Sequence, residues 1–257
     1  MSDETRKHEF EILIDAPVDE VWQAITTGEQ IQQWFAPEAR LEDGKLFLSW
    51  GPGMEGSAPI SIWEPGKRVA WTEEHCSGPR VVDFILEGEG GKTRLRLVHS
   101  GFGKGASFED EYESTHGGWL TFLAALRYLA ERRDKRGRHV WKFSMLPGTP
   151  SEFWPRLAGQ LQLGSQDWTP GAHYTAAIPG GDAFHGTVLA APKPGYALLR
   201  VDELDGSLLA LFVERGGGQT LLTTSWYLYG SGALGEPQLL RQWARFYETL
   251  TQAGAEK

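Results

Sequence analysis

Residues 108–133 read FEDEYESTHGGWLTFLAALRYLAERR, and this stretch decides the fold. Its apolar side chains recur at steps of three and four, which places them on one broad face of an α-helix. These positions are Tyr112, Trp119, Phe122, Leu123, Leu126 and Leu129. Acidic residues open the stretch and arginines close it, as the helix dipole favours. The sequence therefore predicts a long amphipathic helix whose apolar face needs another layer to cover it.

Two adjacent glycines, Gly117 and Gly118, lie inside this predicted helix. Each is expected to cost about 1 kcal/mol relative to alanine in a helix interior. We therefore expect that another part of the chain approaches the helix backbone here, or that space is kept beside it.

The segments before the helix predict the layer that covers it. Residues 8–14 alternate between apolar and polar side chains, as in a half-buried strand. A helix then begins at residue 15, with Pro17 in its first turn, and ends at Gly28. A short helix follows over 29–34. Further alternating runs with turn residues between them cover 46–50, 57–63, 68–74, 81–87 and 93–99. Residues 1–135 thus predict an α+β fold in which a curved antiparallel sheet wraps around the C-terminal helix.

The second half of the chain repeats this pattern. Five matches occur in chain order: 150–154 with 18–22, 168–170 with 34–37, 185–201 with 55–71, 217–222 with 90–95, and 243–250 with 119–126. Matches that keep their order over more than 100 residues indicate duplication. We therefore predict two tandem domains, 1–135 and 136–257, joined by the charged run 132–138.

Composition excludes several classes of function. The net charge is −9, with 24 acidic and 15 basic residues in 1–135 and ten of each in 136–257. An acidic chain repels the phosphates of DNA and RNA, which argues against nucleic-acid binding. The chain opens without a signal-peptide pattern and has no uncharged apolar run near 18 residues, so no membrane insertion is expected. One cysteine, Cys76, cannot form an intrachain disulfide. The expectation is a soluble, cytoplasmic protein.

The sequence contains no strong catalytic or metal motif. The seven histidines lack HxxH and HxxxH spacing, so neither a metal nor a cofactor is expected. Strand alternation would send Cys76 and its neighbour His75 to opposite faces, which argues against a catalytic pair. The phosphate-loop-like Gly91-Lys92-Thr93 sits between two strands and is interpreted as a hairpin turn, and the glycine-rich segment 101–105 is interpreted as a flexible gate.

Several stretches together resemble the START-like (SRPBCC) superfamily, within the branch named for the activator of Hsp90 ATPase. They are APVDEVW at 16–22, WFAP at 34–37, LFLSWGPG at 46–53, GSAPISIWEPGKRVAW at 56–71 and GGWLTFLAAL at 117–126. The resemblance covers residues 6–133, and 139–252 resemble a divergent copy without the Gly-Gly pair. It implies two tandem helix-grip domains, each with an apolar ligand cavity between sheet and helix. It implies no particular reaction, because relatives include lipid carriers, hormone receptors, cyclases and co-chaperones.

The strand and helix periods then select the residues that face this cavity. The candidate ligand-binding residues are Trp50, Trp71, Glu73, His75, Phe84, Leu97, His99, Tyr112, His116 and Trp119. An aromatic lining with a few polar groups is typical of small-molecule sites, although ordinary core packing explains each residue as well. A carboxylate facing an apolar cavity must be paired or protonated, unless Glu73 lies at the open rim. In the second half, His173, His185, Trp226 and Tyr227 are the candidates for another pocket.

The sequence favours binding over catalysis. We expect the first domain to hold a small hydrophobic or amphipathic ligand as a non-catalytic carrier or sensor, with His75, His99 and His116 orienting it. Three alternatives stay open: an Hsp90-type chaperone regulator, a small cyclase, dehydratase or hydrolase with a cavity His or Glu as general base, and a structural module that binds a protein partner.

Overall fold

The computed structural model describes residues 5–76, 78–132, 137–163, 167–216, 218–234 and 237–255. The chain divides into two compact units, the first made of Met1–His116 and Ala125–Lys135, the second of Gly117–Ala124 and Arg136–Lys257. Most of the predicted linker 132–138 lies outside the described residues. Among the described residues, no helix is long and apolar enough to cross a membrane.

The first unit is built on a seven-stranded antiparallel sheet. Its elements are β1 (Arg6–Ile14), α1 (Val18–Thr26), α2 (Gly28–Ile31), β2 (Glu38–Glu42), β3 (Lys45–Ser49), β4 (Glu55–Glu64), β5 (Arg68–Glu73), β6 (Arg80–Glu89), β7 (Lys92–Phe102) and α3 (Glu109–Ala130). The strands lie in the order β1-β7-β6-β5-β4-β3-β2, so the first strand pairs with the last. This is the sheet predicted to wrap around a terminal helix.

The predicted elements of the first unit are present, with two differences. Strand β2 was not predicted, because only Ala39 and Leu41 are apolar in its EARLE sequence and the alternation is weak. The second helix is shorter than the predicted 29–34, since α2 ends at Ile31. The following turn instead seats Trp34 in the core, where its indole Nε1 donates to the Ala24 carbonyl at 2.9 Å.

A bulge at Gly101 shapes the end of the sheet. Arg6 pairs with Phe102 and Lys7 with Ser100, so Gly101 is an extra residue in β7. Its φ is +95°, and a Cβ atom there would lie 2.3 Å from the Pro79 carbonyl oxygen. The bulge turns Phe102 into the interior, where it is fully buried. The first part of the segment 101–105 is therefore a fixed strand end, and its interpretation as a flexible gate was wrong for these residues.

Over its described residues, the second unit repeats the fold with one strand fewer. Its elements are β8 (Gly137–Leu146), α4 (Pro150–Gln160), β9 (His173–Ala177), β10 (Ala183–Ala190), β11 (Tyr196–Val201), β12 (Ser207–Gly216), β13 (Gln219–Tyr229) and α5 (Gln238–Ala255). The strand order is β8-β13-β12-β11-β10-β9, so the first strand again pairs with the last, as in the first sheet. The β10–β11 hairpin corresponds to β4–β5, so the missing strand corresponds to β2. A capping box of Thr149 and Glu152 starts α4.

Only one of the two helix glycines is required by close packing. Residues 117–124 of α3 group with the second unit. A Cβ at Gly117 would lie 2.7 Å from Cζ of Tyr196, whereas a Cβ at Gly118 would make an ordinary 3.7 Å contact with Phe122. The expected close approach to the helix backbone is therefore found at Gly117.

The bulge gives a test of the sheet end. Replacing Gly101 with alanine forces a side chain into the left-handed region and against Pro79, and we expect a loss of about 3 kcal/mol in the free energy of unfolding. Gly91 is the matched control, since its φ is +87° and nothing lies within 4 Å of its Cβ position. Gly91→Ala should cost about 1 kcal/mol. Equal urea midpoints for the two variants would contradict the assigned bulge.

Candidate functional site

The inner face of the first sheet is arranged in rows that run across β5, β6, β7 and β1. The strand register sets directly opposed residues on the same face. One row is apolar and consists of Val69, Phe84, Leu97 and Phe10. The next row mixes apolar and polar residues and consists of Trp71, Val82, His99 and His8. The third row lies at the strand ends and consists of two directly opposed pairs, Glu73 with Arg80 and Phe102 with Arg6. Polarity therefore rises in steps along the strands, toward the start of α3.

A buried arginine holds the polar end together. Arg80 is 5% exposed, and its two terminal nitrogens donate to the two carboxylate oxygens of Glu111 at 2.6 and 2.8 Å. Its guanidinium carbon lies 4.6 Å from the centre of the Phe102 ring, within the range of a cation–π contact. These hydrogen bonds from Arg80 lower the pKa of Glu111. The pair fixes the first turns of α3 to the start of β6.

His75 extends this cluster toward solvent. Its Nε2 lies 3.2 Å from Oε1 of Glu111. Strand β5 ends at Glu73, so the strand alternation used to separate His75 from Cys76 does not apply, and that prediction was wrong. The exposed Cys76 sulfur lies 3.7 Å from Nδ1 and 3.8 Å from Nε2 of His75. Because the sulfur is almost equidistant from both nitrogens, it is aligned with neither for proton transfer.

Glu73 lies between the aromatic interior and the Arg80–Glu111 pair. It is half-buried, and its Oε1 accepts a hydrogen bond of 3.2 Å from the indole nitrogen of Trp71. Burial raises the pKa of this carboxyl group, although the Trp71 hydrogen bond and the charges of Arg80 and His75 act in the opposite direction. Desolvation is thus the dominant influence on Glu73.

His99 and His8 are directly opposed on β7 and β1. Burial, reinforced by the positive charge of Arg80, lowers the pKa of His99 to about 3. Burial likewise lowers the pKa of His8 to about 4, and its Nε2 lies 3.0 Å from the Tyr112 carbonyl oxygen. Both rings are therefore neutral at neutral pH. A ring with the basicity of His99 is a poor proton acceptor, which disfavours it as a general base.

A chain of aromatic contacts leads away from the polar end. The ring centres are 5.5 Å apart for Trp71 and Phe84, 6.4 Å for Phe84 and Trp34, 5.2 Å for Trp34 and Phe35, and 5.3 Å for Phe35 and Trp50. These spacings are typical of aromatic packing. The half-buried Trp50 is thereby connected to the interior, but at the far end from Glu73.

The three candidates on α3 occupy different surroundings. Tyr112 stacks on His8 with ring centres 3.8 Å apart, and its hydroxyl donates to the Lys7 carbonyl at 2.9 Å, so the protein itself uses that hydroxyl. His116 is exposed, 5.2 Å from both the His8 and Phe10 rings, which does not fit the expected enclosed position. Trp119 is buried and belongs to the segment that groups with the second unit.

The candidates in the second unit do not form a common pocket. His173 and His185 are exposed, and His185 pairs with Glu203, so their predicted role as pocket-lining residues was wrong. Trp226 and Tyr227 are neighbours in β13 and point to opposite faces. Trp226 packs in the core with Phe184 and Trp243, whereas Tyr227 lies 4.4 Å from the His139 ring.

Sequence reasoning missed four residues of the site: His8, Arg80, Phe102 and Glu111. The sequence held a signal for two of them, Arg80 and His8. Continuing the inward alternation of Phe84 and Val82 two residues back along the strand reaches Arg80, and continuing that of Ile12 and Phe10 reaches His8. Phe102 could not be found this way, since the bulge breaks the alternation. Among the described residues, no group of three or more His, Cys, Asp or Glu side chains is placed to hold a metal ion.

The buried histidines predict how stability depends on pH. The pKa of His99 is lower in the folded than in the unfolded chain, so the unfolded state binds more protons below about pH 6.5 and stability falls on acidification. Between pH 7 and pH 5, this difference in proton binding at His99 should lower the free energy of unfolding by about 2 kcal/mol. The measurement is a urea titration of each variant at pH 7 and at pH 5. His99→Gln should lose about 2 kcal/mol of the change in stability between the two pH values. His173→Gln, at an exposed position, should keep the full change. An unchanged dependence in His99→Gln would contradict the neutral, buried ring.

Comparison with known proteins identifies the first half. Residues 15–131 match the sequence model described as activator of Hsp90 ATPase homolog 1-like protein. No curated protein matches the chain. Among solved structures, protein MLL2253 of Mesorhizobium loti is 25% identical, with 50% of this chain and 99% of that chain covered and a TM-score of 0.45.

Two other solved structures are similar at lower identity. DynU16, from the dynemicin biosynthetic locus, is 21% identical over 97% of this chain and 96% of its own, with a TM-score of 0.42. The Aha1 dimer from Colwellia psychrerythraea is 20% identical over 49% of this chain and 96% of its own, with a TM-score of 0.43. The family assignment rests on the sequence match and is limited to residues 15–131, which match the activator of Hsp90 ATPase homolog 1-like family.

Proposed function

We propose that the first domain binds a small amphipathic molecule along the inner face of its sheet. The observation that carries this proposal is the stepwise rise in polarity across the three rows. The apolar part of the ligand would lie among Phe84, Leu97 and the ring of Trp71, which are buried in the core and would have to move apart to admit it. Its polar end would reach Glu73 and the Arg80–Glu111 pair. A ligand polar or apolar throughout would match only one end of this surface.

The affinity follows from the area covered. Burying about 200–300 Å² of apolar ligand surface contributes roughly 5–8 kcal/mol at about 25 cal/mol per Å². The loss of translational and rotational freedom on binding offsets part of this, so we expect dissociation constants in the micromolar range. This range suits a carrier or sensor that must also release its ligand.

The chemistry of the polar end favours binding over catalysis. Arg80 and Glu111 form a bidentate pair, which leaves the buried Arg80 Nε without a hydrogen bond among the described residues. His99 has little basicity, and the Cys76 sulfur is not aligned with a base. These groups can orient a ligand by hydrogen bonds, and they lack the aligned nucleophile–base geometry of a covalent mechanism. A role in regulating Hsp90 is suggested by the family's description alone.

The test is binding of 2-acetylnaphthalene, an aromatic probe with one polar group, by calorimetry. We expect micromolar binding to the wild type and about fivefold to tenfold weaker binding to Trp71→Phe, which loses contact area and the indole N–H. Trp63→Phe is the control, because Trp63 is 47% exposed and lies outside the three rows. Native mass spectrometry of freshly purified protein adds a search for a co-purified molecule. No measurable binding, or equal weakening by both variants, would overturn the proposal.

A further inference from the structure

The chemical form of Glu73 indicates what kind of polar group the ligand carries. One oxygen, Oε1, accepts the indole N–H of Trp71. The other oxygen, Oε2, has no hydrogen-bond partner among the described residues, and the side chain is only half-buried. Glu73 therefore keeps one oxygen available at the boundary between the aromatic interior and the polar end.

The charges around Glu73 are already committed to other partners. Arg80, opposite on β6, directs both terminal nitrogens to Glu111 of α3. His75, in the segment after β5, contacts that same Glu111 carboxylate. No cation forms an ion pair with Glu73 in the described part of the chain, so only the more distant charges of Arg80 and His75 favour the negative form of this half-buried carboxyl group.

Binding of an uncharged molecule would displace water from Glu73 and leave its charged form less stable still. We propose that Glu73 binds the ligand as a neutral carboxylic acid, with its free oxygen donating a hydrogen bond to an uncharged carbonyl or hydroxyl oxygen of the ligand. This inference rests on the proposed function and narrows it to neutral, oxygen-bearing amphipathic molecules. Because the acid form is the one that binds, affinity for such molecules falls as pH rises. An ammonium ligand would show the reverse dependence.

Three probes of nearly equal shape separate these possibilities: 2-acetylnaphthalene, 2-ethylnaphthalene and 1-(2-naphthyl)ethylamine. The measured quantity is the ratio of ketone to hydrocarbon affinity, which cancels the shared apolar contacts. We expect Glu73→Leu to lower this ratio about tenfold relative to the wild type. Glu73→Gln, whose amide can still donate, should keep most of it. Glu74→Gln is the matched control, at an exposed neighbouring carboxylate.

The dependence on pH provides the second readout. Between pH 5.5 and pH 8.5 the ketone preference should decline in the wild type and stay constant in Glu73→Gln, with thermal unfolding used to confirm that each variant is folded. A ratio unaffected by Glu73→Leu would overturn the inference. Binding of the amine that requires Glu73 and becomes stronger as the pH rises would also overturn the inference. If 2-acetylnaphthalene or the amine binds the wild type in either case, the proposed function stands; if neither of these amphipathic probes binds the wild type, the proposed function itself fails.

Discussion

The register between β5, β6, β7 and β1 is the constraint on which the site depends. Side chains alternate between faces along a strand, so a shift of one residue would send Trp71 and Phe84 to the outer face. The bulge at Gly101 changes that alternation at one place only, near the strand ends. It brings Phe102 under the Arg80 guanidinium without disturbing the rows below. The polarity gradient is therefore a property of the sheet's hydrogen-bond pattern as much as of its composition.

The Arg80–Glu111 pair adds a second constraint at the polar end. Removing two charges from water is costly, and buried ion pairs often contribute little to net stability. Their bidentate geometry does fix the position of both side chains. With Arg80 paired in this way, no cation in the described part of the chain forms an ion pair with Glu73, and burial outweighs the charges of Arg80 and His75 in shifting its pKa. One ion pair thus sets the behaviour of a neighbouring carboxyl group that it does not bind.

The fold could be predicted from the sequence because its periodicities are local. The helix pattern of residues 108–133 and the strand alternation around Phe84 and Leu97 depend only on neighbouring positions. The Arg80–Glu111 contact joins residues 31 positions apart, and no sequence period encodes it. His75 and Cys76 were misjudged because strand alternation was extended to them, whereas β5 ends at Glu73. In the second half, His173 and His185 were candidates for lining another pocket, whereas the sheet exposes both.

The proposed amphipathic ligand lies on the inner face beside Trp71, with its polar end toward Glu73. The most direct test follows the indole ¹H–¹⁵N resonances of the labelled protein during titration with 2-acetylnaphthalene, with the Trp71 signal assigned from Trp71→Phe. We expect a saturable shift of the Trp71 resonance, while those of the exposed Trp63 and the second-unit Trp226 stay in place. A shift of Trp63 without Trp71, or no shift at saturating probe, would contradict it.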